Sequence, residues 1–350
     1  MSSLWFPDRK IVDGSHGLAD TVYDDFYEAN PTFGRTYARV DTIQLTVGAY
    51  RARVARADLE GIECCVEYKN QALQRIIKRP PDRYIFRVIL ETRGAHTNFG
   101  VKQPASVIFV QPPLSEITTI NGIGNIVITF SVDRDDLLSH PVLLPEVADW
   151  LMQLDPRGAV IESNTAARRL VETSKEVFSL LSDSVTDYML AFVREYAMQQ
   201  LASAVSFSWM KSGQAPLLQQ ATTFERFSHV MGDFTSILSA APEGEGPDFL
   251  VDAFPHLGSK RSIELAFKAS VGMGPMQYWR LLRLHNVRRK LLQFESNSQT
   301  IGDIAAEEGF WDQSKFGRYY LRVFGERPSD TRKRLDPDVL SRFRPDTLNG

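Results

Sequence analysis

Cysteine is scarce in this sequence: the 350 residues include two, Cys64 and Cys65, and these two are adjacent. Neighbouring cysteines cannot cross-link distant parts of a fold, and their spacing does not match that of metal-ligand pairs. Two reduced, partly buried thiols are therefore expected. Histidine is also scarce, with six scattered residues and no pair four positions apart, so the sequence predicts neither a metal site nor a cofactor.

Long apolar runs are missing as well. No uninterrupted apolar stretch reaches the ~18 residues that a membrane-spanning helix needs. The first residues, Met1 to Lys10, lack the apolar core of a secretion signal, so a cytoplasmic protein without membrane contact is expected. The sequence contains no Gly-x-Ser-x-Gly nucleophile motif, no Walker A loop and no Rossmann glycine pattern, and no catalytic site is predicted.

The net charge is small, -3 at neutral pH, which taken alone argues against a nucleic-acid-binding protein. The average hides a division of charge along the chain. From Pro255 to Leu335 there are fifteen Lys and Arg against eight Asp and Glu, whereas the remaining residues hold twenty-five against thirty-five. A basic C-terminal segment beside an acidic body suggests a polyanionic partner.

Short β-branched runs separated by turn residues follow an irregular start of about 35 residues. They predict strands over Thr36–Val47, Ile62–Tyr68, Tyr84–Leu90, Ser106–Val110 and Asn125–Val132. Many short strands with turns between them are typical of a sandwich or a small barrel.

The pattern becomes helical after Asp133, which is predicted to cap a short helix. Helical periodicity covers Asn164–Leu181 and then Asp183–Val205. The second of these helices has a broad apolar stripe, which predicts packing either on its own sheet or against a second subunit. The break at Lys211–Pro216 predicts an interdomain linker.

Residues Thr300 to Arg334 carry the clearest pattern in the sequence. A first short helix has a predicted buried face formed by Ile301, Ile304 and Ala305. Gly309 can take the left-handed conformation that a tight turn needs, and Asp312 is predicted to cap the next helix. Two short helices joined by a tight glycine turn form a helix-turn-helix unit.

The second helix of this unit has two faces of different chemistry. Its predicted buried side consists of Phe316, Tyr320, Val323 and Phe324, and its outer side of Gln313, Ser314, Lys315, Gly317, Arg318 and Arg322. A helix of this kind can enter the major groove of DNA, where Arg and Gln side chains read base edges. Trp311 is placed in the turn rather than in the core.

A weaker copy of the unit precedes it. A short helix over Asp248–Phe254 and a turn lead to a helix over Lys260–Ser270, whose outer face offers Arg261 and Glu264. One long helix, Met276–Phe294, links the two units, with a packed side formed by Tyr278, Leu281, Leu284, Val287 and Leu291. The charge run Arg288, Arg289 and Lys290 is interpreted as a solvated face or a contact between domains.

The stretches Phe267–Leu292 and Ile301–Arg332 together resemble the AraC/XylS family of bacterial transcription regulators. The second stretch contains Ile-Gly-Asp-Ile-Ala-Ala-Glu-Glu-Gly-Phe, then Phe-Gly-Arg-Tyr-Tyr, then Phe-Gly-Glu-Arg-Pro-Ser. In this family the second helix of each unit enters one of two successive major grooves on one face of DNA. The positions matching the family's base-contacting ones are Arg261, Ser262, Glu264, Gln313, Ser314, Gly317 and Arg318. Lys260, Lys315 and Arg322 are assigned to phosphate contacts, which position a protein without specifying sequence.

Two positions depart from the family pattern. Pro255 lies just before the turn of the first unit, and Gly317 removes a side chain from a base-facing position. The N-terminal half resembles the family's cupin-like sensing domain more loosely, which implies a small-molecule effector or a protein contact. His96 is the one histidine in the matching region, Tyr84–Asn121, so a cupin metalloenzyme is not expected.

The predicted fold class is α+β: a β-rich, cupin-like (jelly-roll) domain with helices, then an all-α domain with two helix-turn-helix units joined by a long helix. The domains are residues 1–210 (sensing and dimerisation), 211–221 (linker), 222–334 (DNA binding) and 335–350 (tail). The resemblance implies promoter DNA, RNA polymerase and a second copy of the chain as partners. Two alternatives stay open: a small-molecule-converting enzyme with a DNA-binding tail, and a module whose basic face binds acidic proteins.

Overall fold

The computed structural model describes residues 18–29, 36–94, 96–98, 101–102, 107–181, 186–212, 260–292 and 299–334. These residues divide into two compact units. The first is made of residues 18–42 and 51–212, and the second of Ile43–Tyr50 with the described residues from 260 onward. None of the helices in these ranges is both long and apolar enough to cross a membrane.

The first unit is built on strands. In chain order these are β1 (Leu18–Tyr23), β2 (Arg39–Gln44), β3 (Ala52–Asp58), β4 (Ile62–Lys69), β5 (Leu73–Lys78), β6 (Arg83–Arg93), β7 (Thr97–Asn98), β8 (Val101–Lys102), β9 (Ile108–Gln111), β10 (Glu116–Asn121), β11 (Ile123–Asp133) and β12 (Ala159–Ile161). Seven form a sheet in the order β1-β3-β4-β11-β6-β9-β12, and five form a second sheet in the order β2-β5-β10-β7-β8. The five predicted strands correspond to β2, β4, β6, β9 and β11, whereas β1, β3, β5, β7, β8, β10 and β12 lie outside the predicted ranges. β1 lies in the start of the chain that was expected to be irregular.

The central strand of the larger sheet is β11, which pairs antiparallel with β4 on one side and β6 on the other. Phe130 lies opposite Cys64 in the first pair and opposite Phe86 in the second. These three side chains are fully buried in the main hydrophobic core. Successive residues of a strand point to opposite faces. The residues next to Phe130, Cys64 and Phe86 along their strands therefore face the five-stranded sheet.

Helices cover the outer face of the larger sheet. They are α2 (Arg134–Leu138), α3 (Pro145–Met152), α4 (Asn164–Leu180) and α5 (Asp187–Ser212), and the short α1 (Phe26–Ala29) contacts β1 and β3. Asp133 caps α2 as predicted, accepting hydrogen bonds from the backbone N–H groups of Asp135 and Asp136 at 3.0 and 3.2 Å. Val193 and Leu201 of α5 are buried in the core of this unit, whereas Phe192 of the same helix is exposed. Lys211 and Ser212 belong to α5, and the rest of the predicted linker lies outside the described residues.

The second unit contains five described helices. These are α6 (Lys260–Val271), α7 (Pro275–Leu292), α8 (Ile301–Glu307), α9 (Gln313–Phe324) and α10 (Pro328–Lys333). The packed side predicted for the linking helix is confirmed, since α7 buries Tyr278, Leu281, Leu284, Val287 and Leu291. The predicted helix Asp248–Phe254 and the tail 335–350 lie outside the described residues.

The charge run on α7 is the clearest correction to the sequence analysis. Arg288 is not a solvated residue: its side chain is 4% exposed and forms an ion pair with Glu326. The guanidinium also donates hydrogen bonds to Tyr320 and Thr331. Arg289 of the same run is exposed, as expected.

The segment Ile43–Tyr50 packs with the helices of the second unit, which the sequence pattern does not indicate. Gln44 is fully buried there. Its backbone N–H donates to Nε2 of His285 at 3.0 Å, and its side-chain amide donates to the carbonyl of Val323 at 2.8 Å. The N–H of Gly48 donates to the carbonyl of Arg322 at 3.0 Å. These bonds fix the segment against α7 and the end of α9.

Candidate nucleic-acid interface

The pair α8 and α9 is held in a fixed geometry by its caps and its turn. Thr300 and Asp303 form a capping box at the start of α8, in which the Asp303 N–H donates to Thr300 Oγ1 at 3.1 Å. At the start of α9 the N–H of Lys315 donates to the carboxylate of Asp312 at 3.0 Å, which confirms the predicted cap. Each cap satisfies an N–H that has no partner within its helix.

Gly309 occupies the turn with φ of 78°, the left-handed conformation predicted for it. A Cβ at this position would lie 2.1 Å from Nη1 of Arg283. Arg283 stacks over the ring of Trp279 at 3.6 Å and donates to the carbonyl of Glu308 at 3.1 Å. The turn therefore rests against α7, and glycine provides the space for this contact.

The buried face of α9 is the one predicted. Phe316, Tyr320, Val323 and Phe324 are buried. Phe316 contacts Phe310 of the turn with ring centroids 5.4 Å apart, and Tyr320 contacts Phe324 at 4.6 Å. Since this face holds α9 on its own unit, the opposite face is presented to solvent.

That opposite face brings together the residues assigned to DNA in the second helix-turn-helix unit. Gln313, Ser314, Lys315, Arg318 and Arg322 are exposed, and Gly317 is half-exposed. A Cβ at Gly317 would meet no atom within 4 Å, so this side of the helix is open. Trp311, in the preceding turn, is 73% exposed, in agreement with its predicted place outside the core.

The polar residues of this face differ in the hydrogen bonds and ion pairs that they form within the protein. Lys315 forms an ion pair with Asp312 at 3.2 Å. Gln313 donates to the carbonyl of Gly302 at 3.2 Å, which ties the start of α9 to α8. Arg318 donates one long hydrogen bond, 3.4 Å, to the carbonyl of Ser314 and pairs with no carboxylate in the described part of the chain. Arg318 therefore has most of its guanidinium donors available.

The first predicted helix-turn-helix unit is described only from α6 onward. Arg261 and Glu264 of α6 are exposed, while Phe267 is buried and contacts the ring of Tyr278 at 5.7 Å. The side chains of Lys260 and Ser262 lie outside the described residues. The structure thus places two of the assigned residues of this unit on one exposed helix.

Sequence reasoning missed the buried polar group that supports α9 from behind. The group consists of the ion pair between Arg288 and Glu326 and of Tyr320, whose hydroxyl donates to Thr331 at 2.8 Å. Burial raises the pKa of Tyr320 to about 12, so it remains a neutral donor. The sequence signal for this buried group is the acidic residue Glu326 between the end of α9 and Pro328. Its partner, Arg288, lies 38 positions earlier in the chain.

Comparison with known proteins agrees with this geometry. A family model described as a helix-turn-helix domain matches residues 258–334, which include α6 to α10. The chain is 38% identical over 73 residues to the regulatory protein HrpB of Ralstonia nicotianae, covering 21% of this chain and 15% of that protein. It is 33% identical over 87 residues to the XylDLEGF operon transcriptional activator 1 of Pseudomonas putida, covering 23% and 26%. By sequence, residues 258–334 form an AraC/XylS-type helix-turn-helix domain.

The chain is also 33% identical over 136 residues to the transcriptional activator RhaR of Pectobacterium carotovorum, covering 36% of this chain and 47% of that protein. The chain spans less than half of the length of each of these relatives. The crystal structure of the AraC-like transcriptional activator CuxR covers 83% of this chain and 99% of its own, with 15% identity and a TM-score of 0.42. Among the described residues, no group of three or more His, Cys, Asp and Glu side chains is placed to hold a metal ion.

Proposed function

We propose that this protein is a sequence-specific, DNA-binding regulator of transcription. The observation that carries the proposal is α9: a capped helix whose aromatic face is buried and whose opposite face exposes Gln313, Ser314, Lys315, Arg318 and Arg322. Regulation is favoured over catalysis because the matched relatives are named as regulators and activators.

Within this proposal, α9 enters the major groove and its residues divide by chemistry. Arg318 reads a base, because its planar guanidinium can pair with O6 and N7 of guanine. Lys315 and Arg322 contact phosphates, where a positive charge is sufficient and no sequence is read. Gln313 and Ser314 face the groove at the N-terminus of α9, and Gly317 lets the backbone approach the bases closely.

The helix α6 takes the corresponding role in the first helix-turn-helix unit. Arg261 and Glu264, with Ser262, are proposed to face bases, and Lys260 a phosphate. Two recognition helices held by one linking helix reach two successive major grooves, which are about 34 Å or ~10 base pairs apart. The recognised site is therefore expected to contain two short half-sites at this spacing.

The first unit is proposed as the cupin-like sensing and dimerisation domain. Its two facing sheets support this architecture. Along α5, Tyr188, Phe192, Phe207 and Met210 are exposed large apolar residues, which favours contact with a second copy of the chain. Sedimentation of the full chain tests this part: a dimer is expected that Phe192→Glu weakens, and a monomer would contradict it.

Promoter DNA in the cytoplasm and RNA polymerase are the proposed partners. The test is affinity selection of fragmented bacterial genomic DNA by the purified full chain. Recurrent enrichment of fragments sharing a two-part motif is expected, because base readout discriminates among sites. Arg168→Ala, which removes an exposed charge on α4, is the matched control and should leave the enriched set unchanged. Fragments recovered in proportion to their abundance, with no shared motif, would contradict the proposal.

A further inference from the structure

The space between the two sheets of the first unit contains an unusual concentration of positive charge. The basic cluster consists of Lys69, Arg75, Arg79 and Arg87, with the carboxylate Glu67 among them. None of these five residues is more than 3% exposed. One buried carboxylate beside four buried cations leaves an excess of positive charge in the interior.

Strand geometry explains why these side chains meet. On β4, Cys64 and Val66 face the main hydrophobic core, so Glu67 and Lys69 point the other way, towards the smaller sheet. On β6, Phe86 and Val88 face the same core, and Arg87 therefore points inward as well. From the smaller sheet, Ile77 packs between the sheets. Arg75 on β5 and Arg79 just beyond it lie two residues before and after Ile77, so their side chains are on the same side of the strand as Ile77.

Contacts across this space join the cluster. Nη1 of Arg75 lies 3.6 Å from the carboxylate of Glu67, and Lys69 forms an ion pair with the same carboxylate. The guanidinium groups of Arg75 and Arg79 both lie over the ring of Tyr37, each 4.8 Å from its centroid. Arg79 is held by the carbonyl of Thr36 at 3.0 Å and by the side chain of Gln111. Glu67 is thus shared by two cations.

Arg87 lies within the electrostatic field of Glu67, but its guanidinium makes no hydrogen bond to it. None of its three guanidinium nitrogens has a hydrogen-bond partner among the described residues. Nε of Arg79 and Nε2 of Gln111 are buried without a partner there too. A buried charged donor without an acceptor is costly, and native interiors pair such groups. Burial, with neighbouring Arg75 and Arg87, lowers the pKa of Lys69 to about 7.

We propose that the basic cluster is a binding site for a small anion, and that a carboxylate- or phosphate-bearing metabolite is the effector of this regulator. An oxyanion between the sheets supplies the acceptors that Arg87, Arg79 and Gln111 lack. The planar guanidinium of Arg87 presents parallel N–H donors that match two oxygens of either group. The effector role, unlike the site itself, rests on the proposed regulatory function.

The site is tested by thermal unfolding of the full chain in the absence of DNA. Inorganic phosphate and succinate are titrated separately at an ionic strength held constant with chloride, so that the two kinds of oxyanion are distinguished. A ligand that binds the folded state raises Tm, here by about 5 °C or more at saturation. A rise with phosphate alone assigns a phosphate-bearing effector, and a rise with succinate alone assigns a carboxylate. No rise with either anion would overturn the site.

Arg87→Met separates a binding role from a structural one. Replacing a buried cation that has no hydrogen-bond partner by an apolar side chain of similar length is expected to leave Tm without anion unchanged or higher. The same variant should lose most of the anion-dependent rise, whereas Arg168→Met, an exposed control, should retain it. An Arg87→Met protein that keeps the full rise would overturn the assignment. If that variant does not fold, Arg87→Lys, which keeps the charge but not the planar pair of donors, is expected to weaken anion binding at least tenfold.

Binding of the anion and binding of DNA are measured separately, so the two proposals fail separately. If the wild-type chain shows no DNA selectivity, the regulatory function is contradicted and the anion site is unaffected. If both activities are present, the effector role predicts that the stabilising anion changes the affinity for the selected duplex. An affinity that is the same with and without the anion would overturn that role.

Discussion

Arg288 of the long helix α7 and Glu326, just after α9, form an ion pair of 2.5 Å in the interior of the second unit. Their side chains are 4% and 12% exposed. Glu326 also accepts a hydrogen bond from Thr331 of α10. The pair therefore fixes the end of α9 relative to the linking helix, which positions the exposed face of α9.

Glu326→Ala is expected to destabilise the second unit strongly. It leaves the buried Arg288 charge without its carboxylate, a loss of about 3–5 kcal/mol in the free energy of unfolding. Arg334 contacts the same carboxylate at 2.8 Å but is exposed, so Arg334→Ala should cost less than about 1 kcal/mol. Urea denaturation measures both, and equal losses would contradict a structural role for the buried pair.

Arg318→Ala and Lys315→Ala are expected to differ in their effect on DNA binding. If Arg318 reads a base as proposed, its loss should cost about 1–3 kcal/mol on the specific duplex and relax preference at one base position. Loss of Lys315 should weaken specific and scrambled duplexes about equally and reduce the salt slope by ~1. Binding titrations on both duplexes decide the matter. An equal fall on the two duplexes for Arg318→Ala would remove its base-reading assignment.

Two glycines near α9 should respond to alanine in opposite directions. Gly317 lies within the helix with open space around it, so Gly317→Ala should raise stability by about 0.5–1 kcal/mol. Gly325 ends the helix with φ of 73°, and a Cβ there would lie 2.6 Å from the backbone N of Ala49. Gly325→Ala should therefore lower stability by more than about 1 kcal/mol. Thermal unfolding of the two variants tests this, and a shift of the same sign in both would be the contrary result.

His285 predicts a pH dependence of stability. Burial lowers its pKa to about 3 in the folded protein, against 6.5 for the unfolded chain. Between these values the unfolded chain binds more protons, so the contribution of His285 to stability falls as pH drops below 6.5, by up to about 1.4 kcal/mol per pH unit. His285→Gln should reduce this acid sensitivity. Urea denaturation between pH 4 and 7 gives the slope, and parallel profiles for wild type and variant would contradict the assignment.

Apolar periodicity made part of the fold predictable. β4, β6 and β11 carry runs of apolar and β-branched residues, and α7 and α9 bury the residues expected of them. β3 and β5 were missed because Arg53, Arg56 and Arg75 interrupt their apolar pattern. Arg75 points into a polar interior, a position that periodicity cannot distinguish from the surface.

Long-range partners set the other limit of prediction. Arg288 belongs to a basic run and looks solvated until Glu326 is placed beside it by the fold. The contact of Gln44 with His285 joins residues 241 positions apart, and no local sequence pattern at either residue indicates it. By contrast, the caps Asp133 and Asp312 and the left-handed Gly309 were predictable because their causes lie within a few residues.

The most direct test of base recognition by α9 is selection of binding sites from a random duplex library, carried out in parallel with the wild-type chain, Arg318→Ala and the control Arg168→Ala. The wild type and the control should enrich the same two-part motif, with half-sites ~10 base pairs apart. Arg318→Ala should enrich a motif that has lost its preference at one guanine and is otherwise unchanged. An identical motif for Arg318→Ala, or no motif for the wild type, would contradict the account.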